Sequence, residues 1–383
     1  MYINFWYPIA KSEEITAEKP LKIEILSLNF VAFRDEAGQA HVLSDICVHR
    51  GGSLGEGWIQ DDCVVCPYHG WRYGGDGKCT TIPSIGYEGK PPARAKVDSY
   101  PVQEKYGIVF AFLGDLSAEE RPPLLEIEEY GTGEWRHSEV IVLNVDYYYE
   151  RSIENGLDPA HNEFVHPTHG FSGAKSDYRV PDFDLKDLEL GCYCGGAMES
   201  SEYKDDTMKQ VRDGAGKTVA GTGTHGPNSM YTYINFTPEN AFHQYMWEAP
   251  INENQTRIFF LNLRNCMLDP GMDERVLERN LEIAHQDIAI LSKLDPIRTP
   301  YSNTREVLMP ADKAVARYRE WMKGWERRGW RIDVGTLRSK RGDIGFAIPS
   351  PDRRTSGNWV LDEIPLLPES AEQRATADDA ATG

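Results

Sequence analysis

The chain of 383 residues lacks any run of roughly eighteen apolar residues, so no helical membrane span is expected. It is short of positive charge: 41 Lys and Arg stand against 60 Asp and Glu, for a net charge of −19. That balance argues against a nucleic-acid surface and mainly confers solubility. The opening residues, Met1 to Pro8, lack a basic stretch followed by an apolar one and do not read as a signal peptide. Only seven cysteines are present, in no disulfide-rich pattern, which fits a reducing cytoplasm. A glycine-rich phosphate loop is also wanting. Gly221, Gly223 and Gly226 match a dinucleotide fingerprint by letter, but they run into Pro227-Asn228-Ser229 and not into a helix. No internal repeat is visible. What remains is enough apolar material, 40% of residues, for a sizeable core in two or three domains' worth of chain.

Two short motifs carry the chemistry. Cys47-Val48-His49-Arg50-Gly51 is followed, with sixteen residues between His49 and Cys66, by Cys66-Pro67-Tyr68-His69-Gly70-Trp71. Two thiolates and two imidazoles, delivered in mixed pairs from two loops, suit one [2Fe–2S] cluster in which His₂ replaces Cys₂ on one iron. Cys47 and Cys66 would hold one iron, and His49 and His69 the other. A zinc finger is the alternative, but it usually groups its cysteines in one pair and its histidines in another. Cys63-x-x-Cys66 looks like a redox dithiol only if Cys66 is withdrawn from the cluster, so Cys63 is read as a strand residue.

The two blocks resemble the Rieske segment of the Rieske non-heme iron oxygenases, the ring-hydroxylating oxygenase alpha-subunit family, in its compact single-subunit form. Rieske proteins of respiratory complexes carry an extra Cys after each ligand pair. Gly52 and Arg72 stand near those places here, so the resemblance is to the oxygenase type.

Along the chain, short alternating runs from Leu21 onward, a hairpin turn at Asp35–Gly38 and a buried strand at Gly107–Leu113 indicate a small all-β domain. Arg121-Pro122-Pro123 marks a boundary. Beyond it, Val140–Val145 reads as a strand, and Tyr149 to about Phe164 as a helix broken near Gly156 and Pro159. Residues 190–265 alternate as a meander, with Asn228–Phe236, Phe242–Ala249 and Arg257–Leu263 the clearest strands. Asp273–Leu294 is the strongest helix, and Ala314, Tyr318, Trp321 and Trp325 form a core stripe on another. The expected class is α+β. Residues 1–120 are expected to form a Rieske [2Fe–2S] domain and 121–367 a catalytic domain. The resemblance makes the latter a helix-grip (START-like) fold with a curved antiparallel sheet. Residues 368–383 read as a disordered tail.

Asp158-x-x-His161-x₄-His166 supplies the second site. Five residues advance about 500° around a helix, roughly 140° past one turn, so both imidazoles converge only if the helix breaks between them. Two imidazoles and a carboxylate with open positions form the facial triad of O₂-activating Fe(II) enzymes. The resemblance names His161 and His166 as ligands and takes the carboxylate from a late helix, where Asp287 fits. Ile283, Ala284, Ile290, Leu291 and Leu294 share the inward face with Asp287, and a carboxylate there needs a partner such as a metal or a buried salt bridge.

The resemblance implies more. Asp158 would link His161 to the cluster histidine His69 of a neighbouring subunit in a C₃ trimer, and Asn155 would line the site. Electrons would come from NAD(P)H through a separate reductase or ferredoxin. O₂ and a small organic substrate, aromatic or cyclic, would meet at the iron. Hydroxylation or oxidative demethylation is expected ahead of cis-dihydroxylation. A non-catalytic Rieske electron carrier and a zinc-stabilised interaction protein are the readings from other classes. Tyr233, Asn235, Gln244, Trp247, Asn262, Phe164 and Phe171 are the expected pocket residues.

Overall fold

The structure, a computed structural model, describes residues 1–169, 171, 173–199, 211 and 217–369. It divides into two compact units: Met1–Leu124 together with the chain from Lys323 on, and Leu125–Met322. The expected division at residue 120, with a second domain running to 367, therefore changes at its far end. The reason is packing. Trp325 lies edge-on to Phe5 at 5.0 Å, and the Arg353 guanidinium grips the buried Asp98 carboxylate at 2.7 and 2.8 Å. The Tyr100 hydroxyl donates to the Ile348 carbonyl. The tail expected at 368–383 lies, from residue 370, outside the described residues.

The first unit is all-β at its centre. Phe5–Lys11, Ile108–Leu113 and Val102–Lys105 make one antiparallel sheet, and Leu21–Ile25, Leu28–Arg34, Ala40–Ser44 and Ser99–Tyr100 another. The third sheet is the short meander Trp58–Gln60, Cys63–Val65, Arg72–Tyr73 and Cys79–Thr81. Cys63 is a buried strand residue, as its sequence context implied. The two motif loops leave these last two sheets at Ile46 and Cys66.

The second unit is built on one antiparallel sheet. Gly191–Glu199, Lys217–His225, Ser229–Asn235, Ala241–Pro250 and Thr256–Arg264 follow one another as neighbours, and Ile141–Val145 pairs with the last of them. The helix Asp273–Leu291 packs on one face: Leu291 and Ile288 join Val145, Tyr147, Ile258 and Met246 in one apolar cluster. The expected α+β class and meander are both present. The glycine fingerprint has a packing origin. A Cβ at Gly221 would strike the ring of Tyr193, and one at Gly223 the ring of Tyr231, so these glycines make room for tyrosines laid across the sheet. Among the described residues no helix is long and apolar enough to cross a membrane.

Candidate metal centres

The two loops of the first unit fold by the same local rule. The Gly51 amide donates to the Cys47 carbonyl at 2.9 Å, and the Gly70 amide to the Cys66 carbonyl at 3.0 Å. Both glycines take positive φ, +74° and +70°, which a side chain would resist. Each loop is locked behind its ligands by a second bond, Cys47 N–H to the Gly52 carbonyl and Cys66 N–H to the Trp71 carbonyl, both at 2.8 Å. The thiols point inward, buried at 1% exposure each among Leu43, Leu54, Val64 and Tyr73. The imidazoles point out: the Nδ1 atoms of His49 and His69 face one another at 3.1 Å, and Trp71 stacks flat on His49 at 4.6 Å.

This arrangement sorts the four side chains into a dry sulfur pair and an exposed nitrogen pair. Burial pushes the Cys47 thiol up to about 11, against the Tyr73 hydroxyl 3.2 Å away, which favours the thiolate. Desolvation, then the charges of His49 and Arg50, lower the pKa of His69 and favour the neutral ring that can ligate. A Cβ at Gly52 would come within 2.9 Å of the Cys66 sulfur, so the space beside the thiols is a cradle kept clear by a missing side chain. Donor types, their sorting and the cradle all fit a [2Fe–2S] cluster with split ligation.

In the second unit the helix Tyr149–Leu157 stops at Asp158. Pro159 follows, and one further turn, Asn162–Val165, lies between His161 at its N-cap and His166 at its C-cap. The expected break is thus where the five-residue spacing requires it. The Nε2 atoms of His161 and His166 stand 3.2 Å apart, and Asp287 Oδ1 lies 3.6 and 3.2 Å from them. Suitable ligand atoms of all three residues fall within 4.8 Å of one another. Asp287 Oδ1 is buried and, among the described residues, has no hydrogen-bond partner of good geometry, His166 Nε2 at 3.2 Å being its near neighbour. Three donor atoms turned on one point, one of them an orphaned carboxylate oxygen, fit a single divalent cation that would satisfy them together. Burial works against protonating His166, but the Asp287 carboxylate and Gln286 outweigh it and hold the pKa above the ordinary imidazole value. A bound cation would take the place of that proton.

Sequence reasoning missed the groups that aim these rings. Gln286 Oε1 faces His166 Nδ1 at 3.0 Å, while its amide donates to Thr168 Oγ1. His161 Nδ1 meets the main-chain carbonyl of Asp158 at 2.6 Å. The Asp158 carboxylate, expected to bond His161, stands 3.7 Å from it, and its other oxygen accepts from the Ala160 amide at 2.7 Å. Within one chain Asp158 therefore caps the break, and the backbone, not the carboxylate, orients His161.

Asn155, Asp158, His161, His166 and Asp287 border one cavity of about 280 Å³. Its walls are mostly apolar, with Leu143, Met230, Phe236, Phe242, Met246 and Phe260 prominent. Asn280, 6% exposed, also lines it, with its amide nitrogen unsatisfied. Of the expected pocket residues, Gln244 and Phe171 line this cavity. Tyr233 and Trp247 do not: strand alternation puts Thr232, Ile234, Gln244 and Met246 on the cavity face and turns Tyr233 and Trp247 to the other, where Trp247 stacks with Tyr245 and Tyr233 meets it edge-on. Asn235, of the same parity as Tyr233, bonds the Val219 carbonyl. Asn262 is buried outside the cavity lining, and Phe164 is 66% exposed.

Comparison with known proteins finds matches for both parts of the chain. Residues 5–101 match a Rieske [2Fe-2S] domain, and residues 145–328 match a vanillate O-demethylase oxygenase C-terminal domain. A cholesterol 7-desaturase of Ciona intestinalis is 33% identical over 45% of this chain and 37% of its own length. A chloroplastic chlorophyllide a oxygenase of Chlamydomonas reinhardtii is 28% identical over 87% of this chain and 50% of its own. The chain thus spans half or less of the length of these relatives. A crystal structure of dicamba monooxygenase bound to dicamba superposes with a TM-score of 0.70 at 21% identity, covering 85% of this chain and 97% of the other, which shows the shared fold.

Proposed function

The chain belongs to the Rieske non-heme iron oxygenases, and from that membership we propose that it is a terminal oxygenase which hydroxylates or oxidatively demethylates a small cyclic or aromatic substrate. The observation that carries the reading is the convergence of His161, His166 and Asp287 on a largely apolar cavity. An electron carrier has no use for a second donor set opening on a substrate-sized space. The matched C-terminal domain, described from a demethylase, favours demethylation or monohydroxylation over cis-dihydroxylation.

Cys47, Cys66, His49 and His69 would hold the cluster, with the exposed imidazole edge as the place where electrons pass. His161, His166 and Asp287 would hold the iron, which when bound supplies open positions for O₂ and electrons to reduce it. The protein's own share is positional. Gln286 and the Asp158 carbonyl fix the two rings, and the apolar wall excludes water. The Asn280 amide gives a substrate oxygen one donor by which to orient. Asn155 sits where it can contact substrate at the cavity edge. In a C₃ trimer the Asp158 carboxylate would reach a neighbour's His69, giving the electron a route into this cavity. NAD(P)H oxidation would occur in a separate reductase or ferredoxin chain. The cytoplasm suits the seven free thiols.

The test is substrate-dependent O₂ uptake with a surrogate reductase, over a panel of aromatic, methoxylated and N-methylated compounds. It is paired with metal analysis expecting about three irons per chain. Two irons and no uptake would leave only the electron-carrier reading.

A further inference from the structure

Glu248 is a fully buried charge-bearing group of the second unit. It is 0% exposed, and among the described residues neither carboxylate oxygen has a hydrogen-bond partner of good geometry, the Ser152 hydroxyl being the one side chain near enough to lower its pKa by hydrogen bonding. Its backbone is pinned, with Glu248 N–H donating to the Asn228 carbonyl at 2.7 Å and the Asn228 amide donating to the Glu248 carbonyl at 3.1 Å. In its strand it follows Gln244 and Met246 on the cavity face, one step beyond the cavity's end. Two hydroxyls interact with it: Ser152, on the helix that precedes His161, through a hydrogen bond, and Tyr147 through its charge. Tyr147 is 2% exposed, and burial, then the charge of Glu248, raise the pKa of its hydroxyl against a hydrogen bond from Ser152 that lowers it. Ser152 and Tyr147 both line the cavity. No basic side chain pairs with Glu248 among the described residues.

An unpaired carboxylate cannot stay charged at such a place without a large penalty, so it keeps its proton. Burial raises its pKa to about 8, against a hydrogen bond from Ser152 that lowers it. A neutral acid, two hydroxyls and an oxygen-handling cavity in sequence have a plain use.

We propose that Glu248 is the proton store of the cavity, passing its proton inward through the hydroxyls of Ser152 and Tyr147. This rests on the oxygenase reading above. That reaction consumes protons: one oxygen atom enters a substrate C–H bond and the other leaves as water, at the cost of two electrons from the reductase and two protons. When Glu248 gives a proton to Ser152 Oγ, the Ser152 hydroxyl proton moves on to Tyr147 Oη and the Tyr147 hydroxyl proton moves into the cavity. Neither hydroxyl ionises. Glu248 supplies one of the two protons and is left as a carboxylate; once product has gone, entering water relays a proton from bulk solvent back to it along the same path, and the second proton of the turnover comes from that same solvent source. Such a store matters because the apolar wall that protects the chemistry also bars bulk water.

The experiment uses infrared spectroscopy on the holoenzyme. Wild type should show a carboxylic C=O band at neutral pH that Glu248→Gln removes and that fades in mild alkali. In D₂O the band should shift by proton exchange, and Ser152→Ala or Tyr147→Phe should slow that exchange several-fold. In turnover, Glu248→Gln should lower the rate by about 10²-fold and flatten the alkaline limb of the pH profile, with substrate KM unchanged. A missing band, exchange indifferent to both hydroxyl variants, or an unaltered pH profile in Glu248→Gln would each overturn the proposal. The exchange measurement needs no substrate. Intact exchange with no O₂ uptake would therefore strike at the oxygenase reading, not at the proton path.

Discussion

The cluster loops and the cavity-side donor set are assembled at different ranges, and the contrast explains what each tolerates. Cys47, His49, Cys66 and His69 sit on two loops that each close on themselves within five or six residues, by paired backbone bonds and a positive-φ glycine. His161 and His166 share one short turn, but Asp287 and the ring-aiming Gln286 arrive from a helix 120 positions onward from His166. The first arrangement depends on local backbone. The second depends on where a long helix docks against a sheet, and therefore on apolar packing through Ile288 and Leu291.

The sharpest way to break this comparison is to remove one donor from each centre. Asp287→Ala should take iron from about three to about two per chain, abolish turnover and leave the cluster's visible absorption unchanged. Cys66→Ala should do the reverse, bleaching the protein while Co(II) still binds at His161, His166 and Asp287, read by its own visible bands. If either variant lost both signals, the centres would not be separately built. Next in size, Gln286→Leu removes the partner that sets the His166 ring, and iron affinity should fall about 10–100-fold with the cluster spectrum intact.

A smaller effect concerns the first turn of the late helix. Asp273 pairs with Arg136 and Arg264, whose hydrogen bonds hold its pKa well below the ordinary carboxylate value. A depressed carboxylate contributes stability that is present above its unfolded pKa, 3.8, and is lost as pH falls through the folded value. Because Asp273 is 41% exposed, solvent screens the pair, and Asp273→Asn should cost at most about 1 kcal/mol at pH 7. The difference from wild type, followed by denaturant unfolding, should shrink progressively below pH 4. A cost that persisted undiminished toward pH 2 would mean that the charge pair is not what Asp273 contributes. Of similar size, Gly51→Ala meets no atom within 4 Å of its new Cβ and suffers only the strain of φ +74°, about 1 kcal/mol. The cluster should survive it. Gly52→Ala, which crowds the Cys66 sulfur, should impair cluster loading despite an ordinary φ.

Much of this was legible in the residues. Mixed Cys/His pairs stated their chemistry because ligand type and spacing alone distinguish them from a zinc finger. The strands of 190–265 announced themselves by alternation, and the break at Asp158–Pro159 by the angular mismatch of two histidines five apart. The cavity wall was not legible. Alternation says that Gln244 and Trp247 face opposite ways, but not which way is inward, since both strand faces are apolar in part. Nor did composition show that residues after Lys323 belong with the first unit, because the Asp98–Arg353 pair links positions 255 apart.

The amino-acid order by itself determined which atoms could bind metal and where the backbone must turn, because those depend on chemical identity and on torsions between near neighbours. Tertiary structure alone decided that Asp287 meets His161 and His166, that Gln286 aims a ring, and that Glu248 lies buried and unpaired beside Ser152. Each of these is a meeting of distant segments, brought about by the burial of apolar faces against one another, which carries polar groups to places that no local rule assigns.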